Sequence, residues 1–373
     1  MTKISCLVFN NFDYDGRAQR SAAALASIAP TTVYGPGTRT ESPGRPYVVA
    51  PVALGRNKYL KLAQFWTWSL LKHLSGDVSL IYANNFHSLL PGTLLKLFKG
   101  CPLVYDAYEL LAPGRRAKPI VWFHVERLLV RFADLVIVAN EERARLMQRA
   151  YRLERRPTAI QNIATDLRAG LDGASEPDAP QRVDAIAAFD KKKLVYHGFI
   201  SIERGIDYLL EIVSRLDEDY GLIIIGAGPD EARLSRLIEA RQLQGRVLLV
   251  RPFSRRNLLP ALQACHLGVC FYFKDDLNHK YCAPNKVFEY ASAGIPVLMS
   301  DNIPLRKLNR KYEIGALVRM GDPETAAREV AGLFDRYAYH QGKLAGFLRH
   351  ENWDGERMKL IGAVQSVFKK ESG

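Results

Sequence analysis

No uncharged apolar stretch in this chain reaches the roughly 18 residues that a membrane-crossing helix requires, so none is expected. The first residues, Met1 to Phe9, enter a strand-like run without the charged, apolar and small-residue regions of a signal peptide. Cysteine is scarce. The five are an odd number and scattered, and Cys6, Cys101, Cys265 and Cys270 sit inside apolar stretches. There is no Cys-x-x-Cys pair, and the eight histidines fall in no metal-ligand spacing. Reduced, buried thiols in a cytoplasmic protein follow, and a disulfide framework or zinc site does not. Zinc-finger spacing, an aromatic RNA-binding signature and a helix-turn-helix are also missing, so no nucleic-acid partner is expected.

What is present is positive charge, +13 over 373 residues. The first 180 residues hold 23 basic and 15 acidic side chains, the remainder 29 and 24, so the excess leans N-terminal. Anionic lipid and phosphorylated substrates both fit that balance. The length exceeds one comfortable core, and 48% hydrophobic residues are enough to bury two.

The pattern along the chain alternates apolar runs with helix-like segments, as in parallel sheets covered on both faces. Residues 1–165 read as one Rossmann-like domain, and 166–190, rich in Asp, Gly, Ser and Pro, as a linker. Residues 191–352 read as a second Rossmann-like domain. Trp353–Lys369 reads as an amphipathic helix with Met358, Ile361, Val364 and Phe368 on one side, and the segment 353–373 is expected to return to the first domain. Two doubly wound domains facing a cleft would place ligands at the carboxyl ends of their strands. The helix-like segment Asn57–Ser75 carries Lys, Leu, Trp66 and Trp68. It reads equally as an interfacial helix on an anionic membrane surface or as an ordinary helix packing its Trp residues into the core.

The most informative stretch is Ala283–Ser300. Pro284 suits the first turn of a helix, Val287, Phe288, Ala291 and Ala293 form a packing stripe, and Gly294 supplies a left-handed stop before an apolar strand. Free backbone amides at such a loop–helix junction favour a diphosphate. Glu289, one turn further in, offers a carboxylate to sugar hydroxyls. Three other strand ends match this chemistry. Gly198 permits close backbone approach, and Arg204 opens the next helix as a bidentate phosphate clamp. Gly226 and Gly228 end another strand, but Glu231 stands where a dinucleotide fingerprint needs its third glycine, so NAD is not expected. Phe253, in Arg-Pro-Phe-Ser, is placed to flank a base.

Together these segments resemble the retaining, GT-B-fold glycosyltransferases of family 4. The resemblance rests on Gly198 with Arg204-Gly205, on Gly226–Pro229, and on Pro-Asn-Lys-x-Phe-Glu-Tyr-x-x-Ala-Gly-x-Pro-Val at 284–297. Asp15-Gly16-Arg17, Ile81–Leu90 and Leu103–Glu109 resemble the family's first half more loosely. The resemblance implies transfer of a sugar, with retention, from a UDP- or GDP-sugar to a hydroxyl of a glycan or lipid-linked acceptor. It implies Glu289 on the ribose, Arg204 and Lys286 on the diphosphate, donor contacts from Gly16 and Asn285, front-face substitution and no metal. Peripheral attachment to the inner membrane face would serve a lipid-linked acceptor. Two positions depart from the family pattern: Tyr281 stands for a donor-contacting Glu, and Tyr108 for a His. They keep open a second reading, a non-catalytic GT-B protein that binds a nucleotide or partner. His197 and His87 read as structural, and Asp106 and Glu109 as candidates to face the cleft.

Overall fold

The structure, a computed structural model, describes residues 2–36, 45–55, 57–74, 76–111, 120–163, 176–273, 276–283 and 285–369. Pro284 and the linker residues 166–175 lie outside the described residues. The chain forms two compact units. The first runs from Met1 to Asn162 and takes in the C-terminal helix from Asp354; the second is Ile163–Trp353.

In the first unit the strands are β1 Ile4–Val8, β2 Thr31–Gly35, β3 Val48–Pro51, β4 Leu80–Asn84, β5 Leu103–Ala107, β6 Leu135–Val138 and β7 Thr158–Ala159. They form one parallel sheet in the order β3-β2-β1-β4-β5-β6-β7. Every residue of β1, β4 and β5 is buried, which explains why their sequences show no polar alternation. The second unit repeats the plan with β8 Lys192–His197, β9 Tyr220–Ile225, β10 Val247–Val250, β11 Leu267–Cys270, β12 Val297–Ser300 and β13 Gly315–Val318. Its parallel order is β10-β9-β8-β11-β12-β13. In both sheets the order reverses beside the first strand, at β1/β4 and at β8/β11. Such a reversal opens a crevice at the carboxyl ends of those strands.

Two expectations need correction. Residues 166–190 are more than a linker, because 179–188 form a helix whose Ile186 is wholly buried in the second unit's core. The C-terminal helix, Trp353–Lys369, buries Val364 as expected, but its inward face is turned away from Met358. Its buried positions are Glu356, Leu360, Val364 and Val367, while Met358 stands exposed. The Glu356 carboxylate accepts the Gln161 amide at 2.8 Å, so the inward face includes a hydrogen-bonded acid beside its apolar residues.

Helix Lys58–Leu74 follows the packing alternative for its tryptophans. Trp66 Nε1 donates to the His87 carbonyl at 2.7 Å, and Trp68 lies against Tyr34. Phe65, Ser69 and His73 face inward, and Leu60, Leu71 and Leu74 remain exposed.

Candidate functional site

In the second unit the functional side chains gather at the carboxyl ends of β8 and β9. Helix Asn285–Ser292 carries three of them, and it is seated by Tyr290. The Tyr290 ring is fully buried. Its hydroxyl lies 3.1 Å from the Val195 and Val269 carbonyls and 3.3 Å from the His197 amide, linking β8 to β11. With Tyr290 turned inward, residue 289 one step earlier faces the strand ends. Glu289 Oε2 lies 3.1 Å from His197 Nε2, with both side chains largely buried.

Lys286 lies one turn before Glu289. Its ammonium sits over the Tyr196 ring, 4.1 Å from the centroid. A side chain at residue 198 would begin 3.1 Å from Nζ, so Gly198, at φ +127°, leaves the lysine room. Burial, aided by the neighbouring Arg204 charge, pushes the Lys286 ammonium down to about 8. Arg204 closes a short 3-10 turn at Ile202–Arg204, and its guanidinium has no hydrogen-bond or ion-pair partner among the described residues. The Asn285 Oδ1 is likewise buried without a partner. Two cations, a free amide oxygen and a carboxylate therefore converge on one side of the sheet. This is the chemistry of a diphosphate next to a diol.

Beside them lies a cavity of about 290 Å³ lined by His197, Gly198, Gly226, Ala227 and Phe253. A β-carbon on Gly226 would meet the Gly198 carbonyl oxygen at 2.0 Å, so the two strand-end loops lie flat against each other only because residue 226 is glycine. Gly228 serves another purpose: its amide donates to Glu231 Oε1 at 2.6 Å and it does not line the cavity. Phe253 does line it. Arg182, from the unexpected helix 179–188, stacks on the Phe253 ring at 4.3 Å and donates to the Arg251 and Pro252 carbonyls. No spacing in the sequence points to Arg182, which the fold alone joins to this cluster, and His197, read as structural although it precedes Gly198, meets Glu289 only in the fold.

The first unit holds a separate polar cluster at the carboxyl ends of β1 and β5. Asp15 caps the helix that Gly16 opens, accepting the Ala18 amide, and also accepts the Tyr108 hydroxyl at 3.1 Å. Asn10 Nδ2 donates to that hydroxyl at 2.6 Å. Burial, then Asp15, raises the Tyr108 phenol above its ordinary range, so it stays protonated. Asp106 does not face an opening, contrary to expectation. It is 0% exposed, held by Arg17 Nη2 at 2.7 Å and by the Tyr82 hydroxyl at 2.9 Å. Two Asp-x-Asp spacings occur, at 13–15 and 217–219. In the first, Asp15 is the helix cap; in the second, Asp219 pairs with Lys192. All five cysteines are buried and none forms a disulfide.

The Lys286 value sets a pH dependence. The ammonium is present below about pH 8 and lost above it, so attraction for a diphosphate is greatest on the acid side. UDP affinity is expected to fall roughly tenfold between pH 7.5 and 9.5, and Lys286→Met to bind more weakly with a flat profile. Isothermal titration across that range is the check; a wild-type profile as flat as the variant's would remove Lys286 from the site.

Family models match both units. "Glycosyl transferase 4-like domain" matches residues 17–162, and "Glycosyl transferases group 1" matches residues 181–341. Comparison with curated proteins finds no significant match. Among solved structures, sucrose-phosphate synthase from Thermosynechococcus elongatus aligns with 99% of this chain and 100% of its own, at 17% identity and TM-score 0.76. HepE from Anabaena, solved in complex with UDP and glucose, aligns over 98% of this chain and 100% of its own, at 16% identity and TM-score 0.72. WaaG, a glycosyltransferase involved in lipopolysaccharide biosynthesis, aligns over 96% and 98%, at 13% identity and TM-score 0.65. At these identities the structures speak for the fold, and the two family matches supply the chemistry: the chain belongs to the GT-B glycosyltransferases of group 1.

Proposed function

We propose that this glycosyltransferase takes its sugar from a nucleoside-diphosphate donor seated in the second unit, and passes it with retention, and without a metal, to a hydroxyl of a lipid-linked or surface-polysaccharide precursor. The observation that carries the donor reading is the meeting of Lys286 and Glu289 beside Gly198 and His197, with Arg204 near enough to act on the Lys286 charge. Charge accumulates on the departing diphosphate as the glycosidic bond breaks, and two cations fixed beforehand stabilise it most where water is scarce. Glu289 would accept the ribose hydroxyls, and Phe253, backed by Arg182, would flank the base. HepE bound to UDP and glucose supports a uridine donor, and WaaG supports a surface-glycan acceptor.

The test is thermal stabilisation by UDP, GDP, ADP and their sugar conjugates. A ligand at a hundred times its Kd should stabilise by about 2.7 kcal/mol, and no shift with any of them would overturn the donor site. NMR of the product's anomeric proton then reads retention, and a chelator should leave the rate unchanged. Restoration of a chelator-inhibited enzyme by magnesium or manganese would reverse the metal-free assignment.

Membrane attachment belongs to the same reading. Leu71 and Leu74 on one helix and Leu97 and Phe98 on the adjoining helix Phe86–Lys99 stand exposed, with Lys99 Nζ bonded to the Leu74 carbonyl. Among the described residues no helix is long and apolar enough to cross a membrane, so the face would lie on the surface. Flotation with phosphatidylglycerol vesicles should carry the protein upward, and Leu71→Ser/Phe98→Ser should leave it at the bottom.

A further inference from the structure

One cavity of the first unit lies away from the carboxyl ends of its strands. It lies on the opposite rim, before the amino ends of β6 and β7, with a volume of about 740 Å³. Its walls come from residues 130–131, 133–136 and 152–158 and from Ser366 and Val367 of the C-terminal helix. Four arginines line it: Arg131, Arg152, Arg155 and Arg156.

Charge compensation here is incomplete. Of the two carboxylates in the lining, Asp134 is already taken, with both oxygens 2.5 Å from Lys96 Nζ. Glu154 has no ion pair among the described residues. Arg156 reaches Glu141 only at 3.8 Å. Arg131, Arg152 and Arg155 have no side-chain hydrogen bond or ion pair among the described residues. All four are exposed, and what sets them apart is that they are drawn round one concavity.

Local backbone needs do not account for them. Arg152 occupies the left-handed position (φ +53°) that ends helix Glu141–Tyr151, where glycine or asparagine would be cheaper. Two of the last carbonyls of that helix are answered within the chain, since the Arg152 amide donates to Arg149 and the Leu153 amide to Gln148. The helix end still carries partial negative charge, which the arginines round the cavity outnumber.

We propose that this cavity is a second anion site, taking a phosphorylated ligand with at least two negative charges through the Arg131, Arg152 and Arg155 guanidinium groups. Each guanidinium offers a planar fork of donors suited to phosphate oxygens. The volume exceeds what one phosphate fills and falls in the range of sites for small organic ligands. The phosphate could be carried by a free solute or by a lipid headgroup; the recognising chemistry is the same. The site stands independently of the donor reading, which concerns the second unit.

The experiment is arginine modification by phenylglyoxal on the full chain, mapped by mass spectrometry, at constant ionic strength. The probes are inorganic pyrophosphate and phosphatidic acid vesicles, whose phosphomonoester headgroup can carry two negative charges. Arg131, Arg152 and Arg155 should react at least fivefold more slowly with one probe present, while exposed Arg233 and Arg236 keep their rates. Protection by pyrophosphate identifies a free solute, protection by vesicles alone a headgroup, and protection by neither overturns the site. A second arm separates it from the donor seat. Arg204→Gln/Lys286→Met protein should still bind pyrophosphate, or the vesicles, at least tenfold better than the same protein carrying Arg131→Gln/Arg152→Asn/Arg155→Gln. Equal binding by the two overturns the proposal, and the modification arm decides alone should the five-fold variant fail to fold.

Discussion

Replacing Glu289 by alanine is expected to weaken UDP or GDP binding by roughly 100- to 1,000-fold while leaving the protein folded. The magnitude follows from two hydrogen bonds between ribose hydroxyls and a carboxylate, each contributing about 1.5–2 kcal/mol. The carboxylate is largely buried and its neighbour is the His197 ring, so little water is available to take over. Glutamine at 289 keeps an acceptor without the charge and should fall between. Titration calorimetry with UDP and GDP measures the loss, and thermal unfolding without ligand verifies the fold. Unchanged affinity for both nucleotides would defeat the ribose assignment, though not the diphosphate role of Arg204 and Lys286. Those two are tested separately by the pH profile.

The second large effect concerns stability. Arg17→Ala should destabilise the first unit by about 3–5 kcal/mol, because it strands Asp106 as a buried, uncompensated charge. Arg17 is 6% and Asp106 0% exposed. The guanidinium also donates to the Ile160 carbonyl at 3.1 Å, so three parts of the unit lose a common partner. For a unit of this size the loss corresponds to a fall of roughly 10 °C in the midpoint of thermal unfolding. Arg17→Met/Asp106→Leu, which removes both charges, should recover much of it, since well-packed apolar pairs often replace buried ion pairs without cost. A single Arg17→Ala variant within 1 kcal/mol of wild type would show that water reaches Asp106.

The two-sheet fold was legible in the sequence for a physical reason. Strands such as Ile4–Val8 and Tyr220–Ile225 are buried on both faces, so they appear as unbroken apolar runs between helical periods. Helix Asn285–Ser292 was legible because stripe, glycine stop and following strand occupy adjacent positions. Contacts between distant parts of the chain were not legible. Nothing local tells that Arg182 stacks on Phe253, or that Asp106 turns inward to Arg17. The C-terminal helix shows the limit of periodicity: Met358 looks as apolar as Leu360, yet only Leu360 is buried. The buried face also carries Glu356, whose bond to the Gln161 amide no hydrophobicity pattern encodes. Trp66 and Trp68 were ambiguous for the same reason, since a membrane and a neighbouring helix offer an indole similar surroundings.

Tyr290 has a consequence for how such an enzyme could change its substrate. A β-carbon on Gly268 would lie 2.2 Å from the Tyr290 ring, and the hydroxyl is fixed to three backbone positions, so the helix bearing Lys286 and Glu289 has almost no freedom to shift. Mutational drift is then channelled elsewhere, towards residues such as Phe199, which is 53% exposed, and Tyr281 on the neighbouring turn. Those positions can be exchanged without unseating Lys286 and Glu289, the groups proposed to hold the donor. A lineage could trade one donor sugar for another through such exchanges and still keep the same diphosphate grip.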